Sequence, residues 1–186
     1  MKKLNGEMSK MTRTLVTTRY HILEGEWGSA VREHYLTHGF QGSRDIVFHE
    51  IQDSTVDTGL DCVESQREAR RVAEQGRRDL WIDLHCADWP HEPTKLDYLK
   101  YITEREERRE GLRQRLEAED FGYPVSFDGY ARKHPPKFGP VGIPWVTIET
   151  QFQENDFAQR NAEYQRMLEH TCRLINLVHD YHERVS

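Results

Sequence analysis

The sequence has few cysteines, no long apolar run and no basic block. Its three cysteines, Cys62, Cys86 and Cys172, are widely spaced without a CxxC pair, which argues against a disulfide framework and favours a reducing cytoplasm. No apolar stretch approaches the roughly 18 residues of a membrane span, and the charged start lacks the apolar region of a secretory signal. The net charge of −6 argues against nucleic-acid binding and suits a small or cationic substrate.

The length and the composition predict one domain. A chain of 186 residues can enclose a core, and 36% hydrophobic with 31% charged residues predicts a modest core beneath a highly charged surface. Three methionines lie within the first eleven residues, which suggests that the ordered chain begins near Thr12. We therefore expect residues 1–12 to form a disordered N-terminal extension and residues 13–186 to form a single domain.

Strand and helix patterns alternate along the chain. Short β-branched and apolar runs predict strands at 14–18, 45–51, 79–84, 125–127 and 145–148. Helices are predicted at 25–36, 64–75, 96–119 and 156–181. This order predicts an α/β fold, namely a three-layer α/β/α domain with a mixed, partly parallel central sheet. The charged segment 96–119 is interpreted as a solvent-covered helix with i,i+4 ion pairs, and its alternative role is a lid or a dimer arm.

Four side chains at predicted strand ends suit zinc-dependent hydrolysis, which needs three protein ligands, an open position for water and a carboxylate that takes the proton of that water. His21 and Glu24 follow the first strand in an HxxE spacing, and His85 directly follows the strand Trp-Ile-Asp-Leu. Glu149 ends the strand Trp-Val-Thr-Ile and is expected to be partly buried with a partner. Each also has an ordinary interpretation, as a turn residue, a loop histidine, a helix cap or an ion-pair partner.

Several neighbouring groups are weaker candidates. Asp83 points to the same side of its strand as His85, so it can fix the imidazole tautomer or only cap a loop. Cys86 with His85 or His91 is a candidate nucleophile and base. The remaining histidines are interpreted as surface groups: His34 and His38 on the first helix, and His179 and His182 as solvent or dipole partners of the last helix.

In this order, the motifs resemble the zinc carboxypeptidase-like superfamily, in particular its aspartoacylase and succinylglutamate desuccinylase branch. The matching segments are His21-Ile-Leu-Glu24, Ile82-Asp-Leu-His85 and Gly142-Ile-Pro-Trp-Val-Thr-Ile-Glu149, and the likeness spans about residues 14 to 178. The resemblance implies a compact version of that fold, in which His21, Glu24 and His85 hold one Zn²⁺ per chain. It also implies that Glu149 is the catalytic glutamate.

Departures from the family pattern concern substrate binding. Ile22 stands where the family has a glycine, and the Asn-Arg pair that grips a substrate carboxylate is absent. Arg67, Arg70 or Arg71 can replace that pair, because a guanidinium matches a carboxylate, and Tyr130 occupies the region of a family tyrosine. The resemblance implies hydrolysis of an amide in a small acylamino acid or at a peptide terminus. The alternative function is that of a metal-free binding domain with the same fold. The ligand set also suits another divalent metal such as iron or manganese, and the chain is compatible with a homo-oligomer.

Overall fold

The computed structural model describes residues 11–18, 22–52, 63–88, 97–102, 106–119, 125–128, 143–152 and 160–185. The strands are β1 (Arg13–Thr18), β2 (Asp45–Glu50), β3 (Leu80–Asp88), β4 (Asp97–Ile102), β5 (Val125–Asp128) and β6 (Trp145–Phe152). The described helices are α1 (Ile22–Thr37), α2 (Val63–Gln75), α3 (Glu106–Ala118) and α4 (Ala162–Val185). None of these helices is long and apolar enough to cross a membrane.

The strands form one mixed sheet in the order β2-β1-β3-β6-β4-β5. Strands β2, β1, β3 and β6 are parallel to one another. Strand β4 is antiparallel to β6, and β5 is parallel to β4. Helices α1 and α2 lie along the chain between the first three strands, as the crossover between parallel strands requires. The predicted α/β class with a mixed, partly parallel sheet is confirmed.

Helices cover both faces of the sheet. Because successive residues of a strand point to opposite faces, Val16 and Ile82 face the larger core that α1 and α4 cover. Leu15 and Trp81 point the other way and pack against Ala69 of α2. The chain therefore has helices on both sides of a central sheet, as a three-layer arrangement requires.

The charged segment 96–119 is not one helix. Residues Asp97–Ile102 form β4, and α3 begins only at Glu106, so the prediction of a continuous helix is wrong at its N-terminal end. The sequence Asp-Tyr-Leu-Lys-Tyr-Ile is rich in residues that favour strands, and this strand is paired on both sides, by β6 and β5. The predicted i,i+4 ion pairs do occur at α3, between Arg113 and Glu117 and between Arg115 and Glu119. Leu112 of α3 is nevertheless buried in the core, so this helix is not wholly solvent-covered.

The histidines near the C-terminus are buried rather than exposed. His179 and His182 of α4 are 0% and 1% exposed, so their interpretation as surface groups is wrong. Helix α4 buries residues at a spacing of three and four, among them Leu168, Ile175 and Val178, and both histidines continue this stripe. The Nδ1 atom of His179 lies 2.8 Å from the hydroxyl of Thr14 on β1.

Candidate active site

His85 and Glu149 lie side by side on one face of the sheet. They are register partners in the parallel pair of β3 and β6, and neighbouring strands are about 4.8 Å apart. Both side chains are half-buried, which confirms the predicted partial burial of Glu149. Strand β3 continues past its predicted end to Asp88, so His85 lies within the strand and not in the loop after it. The two side chains with the strongest sequence signals are thus brought together.

The other predicted site residues are only partly described. His21 and Tyr130 lie outside the described residues. Glu24 lies in the first turn of α1 and not in a turn before the helix, because α1 begins at Ile22; its side chain is not described. One turn further, Gly28 lies so close to Thr18 that an added Cβ would come within 2.3 Å of the Thr18 Cβ. This close approach places the start of α1 at the carboxyl end of β1, where ligands bind in open α/β sheets.

A buried carboxylate holds the imidazole of His85. The Nε2 atom of His85 lies 2.6 Å from Oδ2 of Asp83, and Asp83 is 0% exposed. The other carboxylate oxygen accepts a hydrogen bond of 3.1 Å from the hydroxyl of Thr17 on β1. The prediction that Asp83 contacts the His85 ring is confirmed. Because a carboxylate only accepts hydrogen bonds, the contact puts the ring hydrogen on Nε2 and makes Nδ1 the nitrogen that a metal would take.

Sequence reasoning missed a second histidine–carboxylate pair on the same face. His49 of β2 is the register partner of Thr17, and its Nε2 atom lies 2.6 Å from Oε1 of Glu68 on α2. Glu68 is only 4% exposed and also accepts the backbone N–H of Gln52 at 2.9 Å. The sequence signal that could have revealed this pair is the position of Glu68, a charged residue next to Ala69 on the side of α2 that faces the sheet. The pair joins α2 to β2 and gives this end of the sheet a polar interior.

The candidate arginines lie on the outer side of α2. Arg67 and Arg71 are exposed, and the guanidinium of Arg70 pairs with Glu74 at 2.7 Å. The residues of α2 that face the sheet are Ser65, Glu68, Ala69 and Ala73. The described contacts therefore do not bring any of the three arginines to His85, and their role in substrate binding stays a prediction.

Cys86 is placed on the opposite face from His85. Its side chain packs against the core that α1 and α4 cover, whereas His85 and Asp83 point to the α2 side. Because adjacent strand residues alternate in direction, the thiol of Cys86 cannot use the His85 imidazole as its base. The candidate partner His91 lies outside the described residues.

A separate cluster with metal-ligand chemistry lies at the other end of the sheet. Among the described side chains, His179, Asp180 and Glu183 of α4 form the group in which three ligand atoms lie within 4.8 Å of one another. Both carboxylate oxygens of Asp180 already accept hydrogen bonds from Arg44, at 2.6 and 2.7 Å. His179 contacts Thr14, which pairs with Leu80 at the start of β3. His85 is five residues further along β3, or about 16 Å, so this cluster is distinct from the predicted zinc site.

Comparison with known proteins establishes the fold. No family model and no curated protein matches the sequence. The CwlD amidase of Clostridioides difficile, solved in complex with the GerS lipoprotein, matches with a TM-score of 0.52 at 10% identity, over 94% of this chain and 100% of that chain. The N-acetylmuramoyl-L-alanine amidase AmiC2 of Nostoc punctiforme matches with a TM-score of 0.47 at 11% identity, over 87% and 93% of the two chains.

The catalytic domain of CwlV, an N-acetylmuramoyl-L-alanine amidase from Bacillus (Paenibacillus) polymyxa var. colistinus, gives a TM-score of 0.45 at 9% identity, over 90% and 99%. This chain shares its α/β fold with the CwlD amidase. The carboxypeptidase branch itself stays a prediction.

Proposed function

We propose that this protein is a zinc-dependent hydrolase of amide bonds, in which His21, Glu24 and His85 hold the metal and Glu149 is the general base and acid. The observation that carries the proposal is the pairing of His85 with Glu149 on adjacent parallel strands, together with the buried carboxylate of Asp83 behind the imidazole. The fold shared with the CwlD amidase is consistent with the same class of reaction.

The donor set fits zinc. Two imidazoles and one carboxylate are a common ligand set of catalytic zinc, and a metal-bound histidine almost always donates its other ring hydrogen to a carboxylate or carbonyl. His85 meets that condition, since its Nε2 contacts Asp83 at 2.6 Å. When bound, zinc lowers the pKa of a coordinated water to about 7 and polarises a carbonyl oxygen.

The protein's own groups supply positioning and proton transfer. The half-buried Glu149 lies on the strand next to His85, so its carboxylate can accept a proton from an attacking water and return it to the departing amine. Asp83 keeps the imidazole of His85 in one orientation. Tyr130 is the proposed additional group for stabilising the oxyanion, and Arg67, Arg70 and Arg71 are the proposed contacts for a substrate carboxylate.

The proposed substrate is a small acylamino acid or a peptide terminus. N-acetylmuramoyl-L-alanine, the amide named in the descriptions of AmiC2 and CwlV, belongs in the same test panel. The proposed compartment is the cytoplasm, because the widely spaced cysteines without a CxxC pair favour a reducing environment.

Metal content by mass spectrometry tests the site first. We expect about one zinc per chain in the wild type and a loss of that zinc in His85→Ala. His49→Ala is the matched control, because His49 is also held by a buried carboxylate on the same face but lies outside the proposed ligand set. Retention of zinc in His85→Ala, or no zinc in the wild type after zinc is supplied, would contradict the proposal. The second outcome would favour a metal-free binding domain.

Hydrolysis tests the role of Glu149. Glu149→Gln should retain zinc and lose activity by about 10²- to 10⁴-fold on N-acetylamino acids, short peptides or N-acetylmuramoyl-L-alanine, because the amide cannot take the proton. Zinc binding with no hydrolysis of any panel member by the wild type would limit the conclusion to a metal site and reject the amide-hydrolase activity on these substrates.

A further inference from the structure

We propose that Thr17 and Trp81 are positioning residues for His85, acting through Asp83. This inference rests on the proposed role of His85 as a metal ligand. Neither side chain takes part in the proposed reaction itself. Their role follows from the order of hydrogen-bond donors and acceptors that leads to Asp83.

The series of hydrogen bonds begins at Trp81, whose indole nitrogen can donate a hydrogen bond but cannot accept one. The indole of Trp81 is 0% exposed, and its Nε1–H lies 2.6 Å from Oγ1 of Thr17. An indole nitrogen can only donate. The ring is also held in place, because it stacks on Trp145 with centroids 4.9 Å apart and an interplanar angle of 13°.

The hydroxyl of Thr17 accepts the hydrogen bond from Trp81 and donates one to Asp83. Because Thr17 accepts from Trp81, its own hydrogen points elsewhere, and Oδ1 of Asp83 lies 3.1 Å away. The carbonyl oxygen of Ile82 is further, at 3.4 Å. Thr17 and Asp83 are also register partners on β1 and β3, so the backbone fixes the separation of the two side chains.

The last hydrogen bond of this series, from His85 to Asp83, sets the tautomer of His85. With Oδ1 bound to Thr17, the Oδ2 atom of Asp83 is directed to Nε2 of His85 at 2.6 Å. The carboxylate requires a hydrogen on Nε2, and Nδ1 then carries the lone pair for a metal. Removing the hydroxyl of Thr17 would remove the hydrogen bond to Oδ1 that helps to orient the Asp83 carboxylate, and the imidazole of His85 would be held less firmly. Loss of the contact between a metal-binding histidine and its carboxylate typically lowers metal affinity by about 10- to 100-fold, and a loosened contact should lie at the lower end of that range.

The variants separate positioning from stability. Thr17→Val removes the hydroxyl but leaves the Trp81 N–H buried without its acceptor, so it also destabilises the protein. In the double variant Thr17→Val/Trp81→Phe both partners become apolar, which should restore much of the stability without restoring the contact to Asp83. Thr17→Ser keeps the hydroxyl. Thr147→Val is the matched control, because Thr147 is the register partner of Asp83 on its other side.

Two measurements test the inference. The first is the tautomer of His85 by ¹⁵N NMR on metal-free protein, where we expect Nε2–H in the wild type, in Thr17→Ser and in Thr147→Val. Thr17→Val and the double variant should show a population with hydrogen on Nδ1. The second is the zinc dissociation constant, which should rise about 10-fold in those two variants.

The outcomes distinguish this inference from the proposed function. An unchanged tautomer in folded Thr17→Val would overturn the positioning role, whether or not the protein binds zinc. A lowered zinc affinity in Thr17→Val that the stable double variant reverses would also overturn it, because the loss would then come from destabilisation. A wild type that binds no zinc would reject the metal site, while the tautomer shift would still decide the role of Thr17 and Trp81.

Discussion

The buried histidine at the C-terminal end of α4 makes the stability of this protein dependent on pH. Burial lowers the pKa of His182 to about 3, and the charges of Arg108 and His179 add to the lowering. In the unfolded chain the pKa returns to about 6.5. Between these values the unfolded state binds the proton and the folded state does not. The full stability is therefore present above about pH 6.5 and is lost as the pH falls toward 3.

The magnitude follows from the two pKa values. At pH 5 the unfolded chain carries nearly one more proton at this site than the folded chain. His182 alone therefore removes about 2 kcal/mol of unfolding free energy between pH 8 and pH 5. A domain of this size is stable by about 5–15 kcal/mol, so the loss is a large share of the total. Burial also lowers the pKa of His179, which adds to the loss in the same direction.

Urea unfolding at several pH values between 8 and 5 measures this effect. His182→Gln removes the titrating ring, so its unfolding free energy should fall with pH less steeply than that of the wild type. The control is His38→Gln, because the side chain of His38 is exposed and its contacts are confined to Thr37 and His34 at the end of α1. Parallel curves for the wild type and His182→Gln would refute the reasoning, since His182 would then not be kept neutral by the fold.

Two further predictions concern packing and charge. Gly28→Ala should lower the unfolding free energy by about 1–3 kcal/mol, because the added Cβ would lie 2.3 Å from the Thr18 Cβ; stabilisation, the usual result of this change within a helix, would contradict the close contact. Arg44→Ala should lower the free energy of unfolding in urea by about 1–3 kcal/mol, because it leaves the half-buried Asp180 without its bidentate partner. The double variant Arg44→Ala/Asp180→Asn should recover part of that loss. If the double variant loses as much unfolding free energy as Arg44→Ala alone, the ion pair does not stabilise the protein.

Local patterns were sufficient for the parallel part of the sheet. Strands β1, β3 and β6 are continuous apolar or β-branched runs that are buried on both sides, and such runs are visible in a short window of sequence. Strand β4 was missed although its residues favour a strand, because it adjoins the charged helix α3 and it pairs with β6, about fifty residues later. The hydrophobic periodicity of residues 97–102 does not indicate that they pair with β6.

The part of the site that lies along single strands was predictable, and the part that depends on helix packing was not. Asp83 and His85 share a face because they are two residues apart on one strand, so their contact could be expected. Whether Glu68 meets His49 depends on how α2 lies across β2, which the sequence does not state. His182 was misjudged because a polar residue near a helix end usually faces solvent, although its position continues the buried stripe of α4.

The insertion of β6 between β3 and β4 has a consequence for biosynthesis. Strands β3 and β4 follow each other along the chain but are not neighbours in the sheet, because β6 occupies the place between them. Until β6 has been translated and docked, both β3 and β4 present an unpaired edge, which is a template for aggregation. Glu149 also reaches His85 only when β6 docks. A chain truncated before β6 therefore lacks this pair of side chains and should be insoluble.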